Sequence, residues 1–189
     1  PKATSLVAYR CNLDSTLGED ESYETACTVY DDRGDPHSLI LTWTKNSEES
    51  NSWHWSASLE EDPETEIGNG DVGFYGYDDP SKGIVKGTIV RDGSESPTLA
   101  FAYPSEGGDS ASITLDFTGG GGPLDGVTQF ASASTTRAIL QDGYPEGTYT
   151  DVVVGNDGTV YGTYSNDIAV PLYKITLGTF RNPPGLLQE

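Results

Sequence analysis

Gly and Pro punctuate this chain at such short intervals that there is little room for a long helix, and the runs between them are built from strand formers. The 23 Gly and 11 Pro fall among 189 residues in which Thr, Val, Trp and 11 Tyr recur, residue types that suit a pleated, half-buried surface. No window keeps a 3.6-residue apolar period for three turns, and no stretch approaches the ~18 apolar residues of a membrane span. The chain is therefore expected to be all-β. At this length it can bury a sizeable core, either as one large domain or as one domain with a partial neighbour.

Alternation and turn residues place the strands. Residues 4–10 read as a strand. A hairpin over 23–30 and 37–45 turns at Asp31-Asp32-Arg33-Gly34-Asp35-Pro36 and sets Leu39, Leu41 and Trp43 on one face. In 52–59, Trp53 and Trp55 share a face with His54 opposite, and the acidic run 60–66 reads as a loop. Further strands are expected at 71–77, 83–91, 98–103 and 110–117, each bounded by Gly, Pro, Asp or Ser. Val152 to Val154 meets an Asn156-Asp157-Gly158 turn and returns through a Thr- and Tyr-rich strand, a hairpin by turn chemistry. A strand over 169–180 is expected to return beside 4–10. The spacing predicts a β-barrel or sandwich of antiparallel hairpins, with a partial second β unit made by the two chain ends.

Charge narrows the function. Ten Lys and Arg against 30 Asp and Glu leave a net charge of -20, which argues against binding nucleic acid or an anionic membrane, since phosphate contacts need basic side chains. The plain reading is solubility outside the cell. A sharper one is a calcium-binding surface at Asp31, Asp32, Asp35 and the Asn156-Asp157 turn, although neither cluster has EF-hand spacing. No metal or cofactor is assigned.

Catalysis is poorly supported. His37 and His54 are the only histidines, and both are expected where strands or turns face solvent, away from a Ser and an acid. The four glycines 119–122 lack the following Lys and Ser or Thr of a phosphate-binding loop and read as a flexible loop. Arg33-Gly34-Asp35 spells an integrin-binding tripeptide, which turn chemistry alone also produces. Trp43, Trp53 and Trp55 are expected to fill the core. Were they exposed, they would form a stacking platform for sugar, and the chain would be an extracellular carbohydrate-binding or adhesive β-domain.

Four stretches carry a more specific signal. Gln141, Asp142, Gly143 and Tyr144 precede Gly147 and Thr148; then come Asn156 to Val160, Gly162 to Asn166, and Phe180, Arg181, Asn182, Pro183. Pro1 to Thr4 precede Asn12 to Ser15; Val29, Tyr30 and Asp31 precede Gly34 to His37; Thr114 to Thr118 precede Leu124 to Phe130. In that order the strings resemble bacterial flagellar hook proteins where the chain passes into and out of their outer domain. Residues 46–110 carry no such likeness. Pro1 in place of an initiator Met, and the absence of Met throughout, suggest a fragment of a longer chain.

The resemblance implies a structural subunit, not an enzyme, of the curved flexible tube that couples motor torque to the filament. Residues 12–168 would be the outer β domain, making sliding contacts between subunits, and 1–11 with 169–189 would be edge strands of the inner domain. Hinges are expected at Cys11, Asn12 and Leu13 and at Asn166, Asp167 and Ile168. Partners would be other copies in a helical tube, together with hook-cap and hook-filament junction proteins, while the fragment itself would be monomeric. The location would be the hook, outside the cytoplasm, and periplasmic in a spirochaete. Cys11 and Cys27 are the only thiols; a disulfide is open to them in an oxidising compartment, and a buried free state is commoner. The resemblance to spirochaete members further implies a lysinoalanine cross-link from Cys11 to Lys2 or Lys174 of a neighbouring subunit.

Overall fold

The computed structural model describes residues 1–18, 21–46, 51–104, 110–120, 122 and 124–176, and its regular elements are all strands. These are β1 (Leu6–Asp14), β2 (Ser22–Tyr30), β3 (Pro36–Lys45), β4 (Ser52–Leu59), β5 (Asp62–Gly73), β6 (Thr98–Ala102), β7 (Ser110–Asp116), β8 (Val127–Phe130), β9 (Thr135–Gln141), β10 (Tyr149–Val154), β11 (Thr159–Tyr164) and β12 (Ala169–Lys174). The chain divides into two compact units, Pro1–Pro145 and Glu146–Glu189.

In the first unit, β2-β3-β4-β5 is an antiparallel meander, and a second sheet runs β6-β7-β1-β8 with β9 also on β1. β1 is the organising strand. One edge pairs in parallel, first with β7 at Leu6 to Ala8 and then with β8 at Cys11 to Asp14, while β9 runs antiparallel along the other edge. Its alternation sends Val7, Tyr9, Cys11 and Leu13 inward. They meet Leu39, Leu41 and Trp43 of β3 and Trp53, Trp55, Ala57 and Leu59 of β4, so the core lies between two sheets, as in a sandwich. Phe117 packs its ring against Tyr9, Trp43 and Trp55 at centroid distances of 5.9, 4.9 and 5.8 Å. The sheets also approach at both edges. Tyr23 of β2 hydrogen-bonds Thr136 of β9 at 2.9 Å, and Leu99 of β6 fills the space over Gly68 of β5.

Several expectations shift once non-local pairing is in place. The acidic run 60–66 is largely strand, with Glu60 and Glu61 in the turn and β5 beginning at Asp62. The first half of β5 is mostly exposed, so carboxylates stay in water while the backbone pairs, and a charged edge resists pairing with another strand. The expected strand 83–91 is instead a series of turns with isolated bridges at Ile84, Thr88 and Ile89, broken at Gly83 and Gly87, whose φ values are 69° and 82°. Strand β9 was not expected, because half-exposed residues on both faces leave its run without a periodic apolar signal.

The expected domain limits at residues 11 and 168 do not coincide with the units. Cys11 and Asn12 pair on both edges of β1 and Leu13 on one, so the expected hinge residues are part of the sheet. Asn166, Asp167 and Ile168 form the tight turn between β11 and β12, with Asp167 at φ 61°.

The second unit is the antiparallel sheet β10-β11-β12, with Gly155–Gly158 closing its first hairpin as expected. β12 pairs with β11, whereas the neighbours of β1 are β7, β8 and β9, so the expected pairing of 169–180 with 4–10 is replaced. Phe180, Arg181, Asn182 and Pro183 lie outside the described residues, as do Gly121 and Pro123 of the glycine loop.

Candidate functional site at the paired ends of the first unit

Two of the strings singled out in the sequence, at residues 1–4 and 141–144, meet in space. Lys2 N–H donates to Tyr144 O at 2.9 Å and Tyr144 N–H to Lys2 O at 3.0 Å. Beside this bridge, Asp142 Oδ1 accepts the backbone N–H groups of Ser5 and Leu6 at 2.8 and 2.9 Å. Its Oδ2 accepts Ser5 Oγ at 2.7 Å and Lys2 Nζ at 2.6 Å. Burial works against the charge on Asp142, but the hydrogen bonds from Lys2, Ser5 and Leu6 together outweigh it and hold the carboxyl well below its usual range.

Thr4 completes the clamp from the core side. It is buried; its N–H donates to Tyr30 O at 2.9 Å, its Oγ1 accepts Tyr30 N–H at 2.9 Å and donates to Gln141 Oε1 at 3.2 Å. Gln141 Oε1 also accepts Gly143 N–H at 2.5 Å. A Cβ on Gly143 would strike Thr4 Oγ1 and lie 2.9 Å from Thr4 N and 3.0 Å from Lys2 O, so this close crossing needs glycine. Sequence reasoning found the Gln-Asp-Gly-Tyr string as a signature but missed its work as an acceptor for Ser5 and Leu6. The local signal was an Asp-Gly pair next to a strand end.

Within the first unit, the proposed cross-link residues Cys11 and Lys2 lie in different surroundings. Cys11 is buried in β1, and burial pushes its thiol up to about 12. Lys2 turns to Asp142, and the stretch from Leu6 to Cys11 alone spans about 17 Å of strand. Lys174 ends β12 and is exposed. Cys11 and Cys27 are both free, with Cys27 Sγ 3.8 Å from Tyr9 OH.

The remaining candidates resolve into structural parts. Asp31 is buried; its Oδ1 accepts the N–H groups of Arg33 and Asp35 at 3.0 and 2.8 Å, and Oδ2 meets Arg33 Nε at 3.3 Å. The Arg33-Gly34-Asp35 run is thus held as a turn about a carboxylate, with Gly34 at φ 87°. His37 does not face solvent as expected. It stacks on Tyr103 with centroids 4.1 Å apart and places Nδ1 3.2 Å from Glu61 Oε1, while His54 is exposed beside Asp71. The indoles of Trp43, Trp53 and Trp55 are buried and offer no platform for sugar. Gly119 is not loose: its Cβ position lies 2.7 Å from Asp125 C, and Arg10 reaches the same loop through Asp125 Oδ1 at 2.9 Å, an ion pair not aligned as a hydrogen bond. Among the described residues, no group of three or more His, Cys, Asp or Glu is placed to hold a metal ion.

The first unit is a β sandwich whose two ends are closed by a backbone clamp. The family described as flagellar basal body protein FlaE D2 domain matches residues 5–144. The flagellar hook protein FlgE of Borreliella burgdorferi is 30% identical over 201 residues, covering 100% of this chain and 45% of that protein. The protein of the same name from Treponema pallidum is 27% identical, covering 97% and 46%, and that from Escherichia coli 26% identical, covering 100% and 45%. The crystal structure of Helicobacter pylori flagellar hook protein FlgE2 shares the fold, with a TM-score of 0.58 and 21% identity over 88% of this chain and 34% of that one. The chain belongs to the flagellar hook protein family, and it spans about half the length of the curated relatives it matches.

Proposed function

We propose that this chain is the outer part of a structural subunit of the flagellar hook, acting outside the cytoplasm in a tube built from many copies. The whole-length similarity to hook proteins of several bacteria carries the reading. The clamp suits a mechanical part. Load reaching residues 1–5 or 142–145 meets the Lys2–Tyr144 bridge and the Asp142 contacts before it reaches β1, so the core strand is shielded from peeling. In this reading, torque passes through the tube while outer domains slide against one another over polar, hydrated contacts of modest area, and hook-cap and junction proteins meet the assembly at its ends.

The flexible connection between domains belongs at the crossing from Pro145 to Glu146, where the compact units divide. With β10 and β12 exposed throughout, the second unit is an incomplete β layer that the inner domain of the whole subunit would finish.

A cross-link through Cys11 remains part of the proposal. Removal of the Cys11 α-proton with departure of its sulfur as hydrogen sulfide leaves dehydroalanine, and the ε-amine of Lys2 or Lys174 of a neighbouring copy adds to Cβ while a proton returns to Cα. Burial of Cys11 requires β1 to open locally, or subunits to deform it, before that chemistry begins.

Immunogold labelling of intact flagella with antibody to this chain tests the assignment. Particles confined to the short curved segment between cell and filament are expected; particles on the cell surface alone would overturn it.

A further inference from the structure

Copies that each carry a net charge of -20 repel one another unless carboxylates of one meet cations of the next. Cations are few, and most of those in the first unit answer to their own chain. Lys2 holds Asp142, Arg10 meets Asp125, Arg33 meets Asp31, Lys82 reaches Asp79, and Lys45 donates to the carbonyls of Ser15 and Leu17. Among the described residues of this unit, Lys86, Arg91 and Arg137 have no ion-pair partner.

Two of these three share one segment with Lys82, in which Lys82, Lys86 and Arg91 are exposed while Gly87, Thr88 and Ile89 are buried, and the acids around them are engaged in local turns. Asp78 Oδ1 accepts Lys86 N–H at 2.8 Å; Asp79 Oδ1 accepts Ser81 N–H and Oγ at 3.1 and 2.6 Å; Asp92 Oδ1 accepts Ser94 N–H and Oγ at 3.0 and 2.6 Å. Lys82 and Arg91 line a cavity of about 460 Å³ together with Thr118 and Gly120. A Cβ at Gly83 or Gly120, both in its lining, would meet nothing within 4 Å. Lys86 lines a second cavity of about 500 Å³, and Tyr75 borders both.

We propose that the segment 82–91 is the seat for carboxylate side chains of a second copy of this chain. The inference rests on the reading of the chain as a self-assembling subunit and adds the surface that receives the neighbour. Arg91 supplies a planar fork for a carboxylate at the first cavity, which Lys82 also lines, and Lys86 a point charge at the second. In a tube built from many copies such a contact is heterologous, the kind that propagates into open helical arrays. Exposed ion pairs are weakened by salt and exchange readily, as contacts that slide require.

The test uses the full-length subunit in motile cells, with the photo-reactive residue p-benzoylphenylalanine at position 86 or 91. Illumination is expected to give subunit dimers whose joined peptide carries Asp or Glu of the second copy. A Lys86→Glu/Arg91→Glu subunit, folded as judged by unchanged tryptophan emission and Tm, is expected to form fewer than one tenth of the normal number of hooks. No dimer, a dimer with a different protein, or a normal hook count from the folded charge-reversed subunit would each overturn the proposal while leaving the hook assignment standing. Failure of the antibody to label hooks would instead remove the assignment on which it rests.

Discussion

Lys2 and Tyr144 exchange both of their backbone hydrogen bonds, and the side chain of Lys2 reaches across the same crossing to Asp142. The two ends of the first unit are therefore tied to each other as well as to the sheet. Asp142 does most of the tying, since one carboxylate accepts from two main-chain N–H groups, a hydroxyl and an ammonium.

Asp142→Ala leaves the N–H groups of Ser5 and Leu6 without their acceptor. Hydrogen bonds to a charged group contribute about 1.5–3 kcal/mol, and a loss of that order is expected. Asp142→Asn keeps one acceptor oxygen and should lose less. Urea unfolding followed by tryptophan emission reads the first unit alone, because Trp43, Trp53 and Trp55 are the chain's three tryptophans and all lie in its core. Equal midpoints for Asp142→Ala and wild type would show that the clamp is idle.

Acid should act through the same carboxylates. Asp142 and Asp31 both titrate below their ordinary value in the folded chain; burial opposes this, and hydrogen bonds from Lys2, Ser5 and Leu6 in one case and from Asp35 and Arg33 in the other overcome it. Asp79, Asp92 and Asp157 are lowered by hydrogen bonds from Ser81, Ser94 and Thr159. The folded state thus holds fewer protons than the unfolded one, whose Asp groups titrate near about 3.9. The stabilisation is present above that pH and is lost as the pH falls through the folded values. Stability should be flat from neutral pH to about 5 and fall below about 4, with a shallower fall in Asp142→Asn. An identical acid profile for the two proteins would count against Asp142.

The thiols should differ in reactivity. Burial raises both, Cys11 up to about 12, with a hydrogen bond from Tyr9 partly offsetting the rise at Cys27. Cys11 is buried and Cys27 half-buried, so iodoacetamide should label Cys27 first in the native protein and both in denaturant, as read by peptide mass. For the cross-link, hooks of Cys11→Ala cells should lose the SDS resistance of wild-type hooks; full retention would rule the link out.

Phe117 is the ring on which Tyr9, Trp43 and Trp55 converge. Phe117→Ala removes that common neighbour and should cost about 3–5 kcal/mol, with a red shift of tryptophan emission as water nears the indoles. Glucans should leave the wild-type emission unchanged, since the three indoles are buried.

The sequence by itself determined the class of fold, because turn chemistry and two-residue alternation act over a few positions. The hairpin of β2 and β3, strand β4 with its paired indoles, and the turn at Asn156-Asp157-Gly158 were legible for that reason, as were the strings now found in the clamp. Only the tertiary structure decided that β1 sits centrally, with β7 and β8 in parallel on one edge, since those hydrogen bonds join residues more than a hundred positions apart. The same holds for the acidic start of β5 and for β9, strands whose half-exposed faces carry no apolar period and whose backbones pair through their neighbours. It also decided that Asp142 serves Ser5 and Leu6, because a carboxylate's partners depend on which distant N–H groups the packed sheets bring within reach.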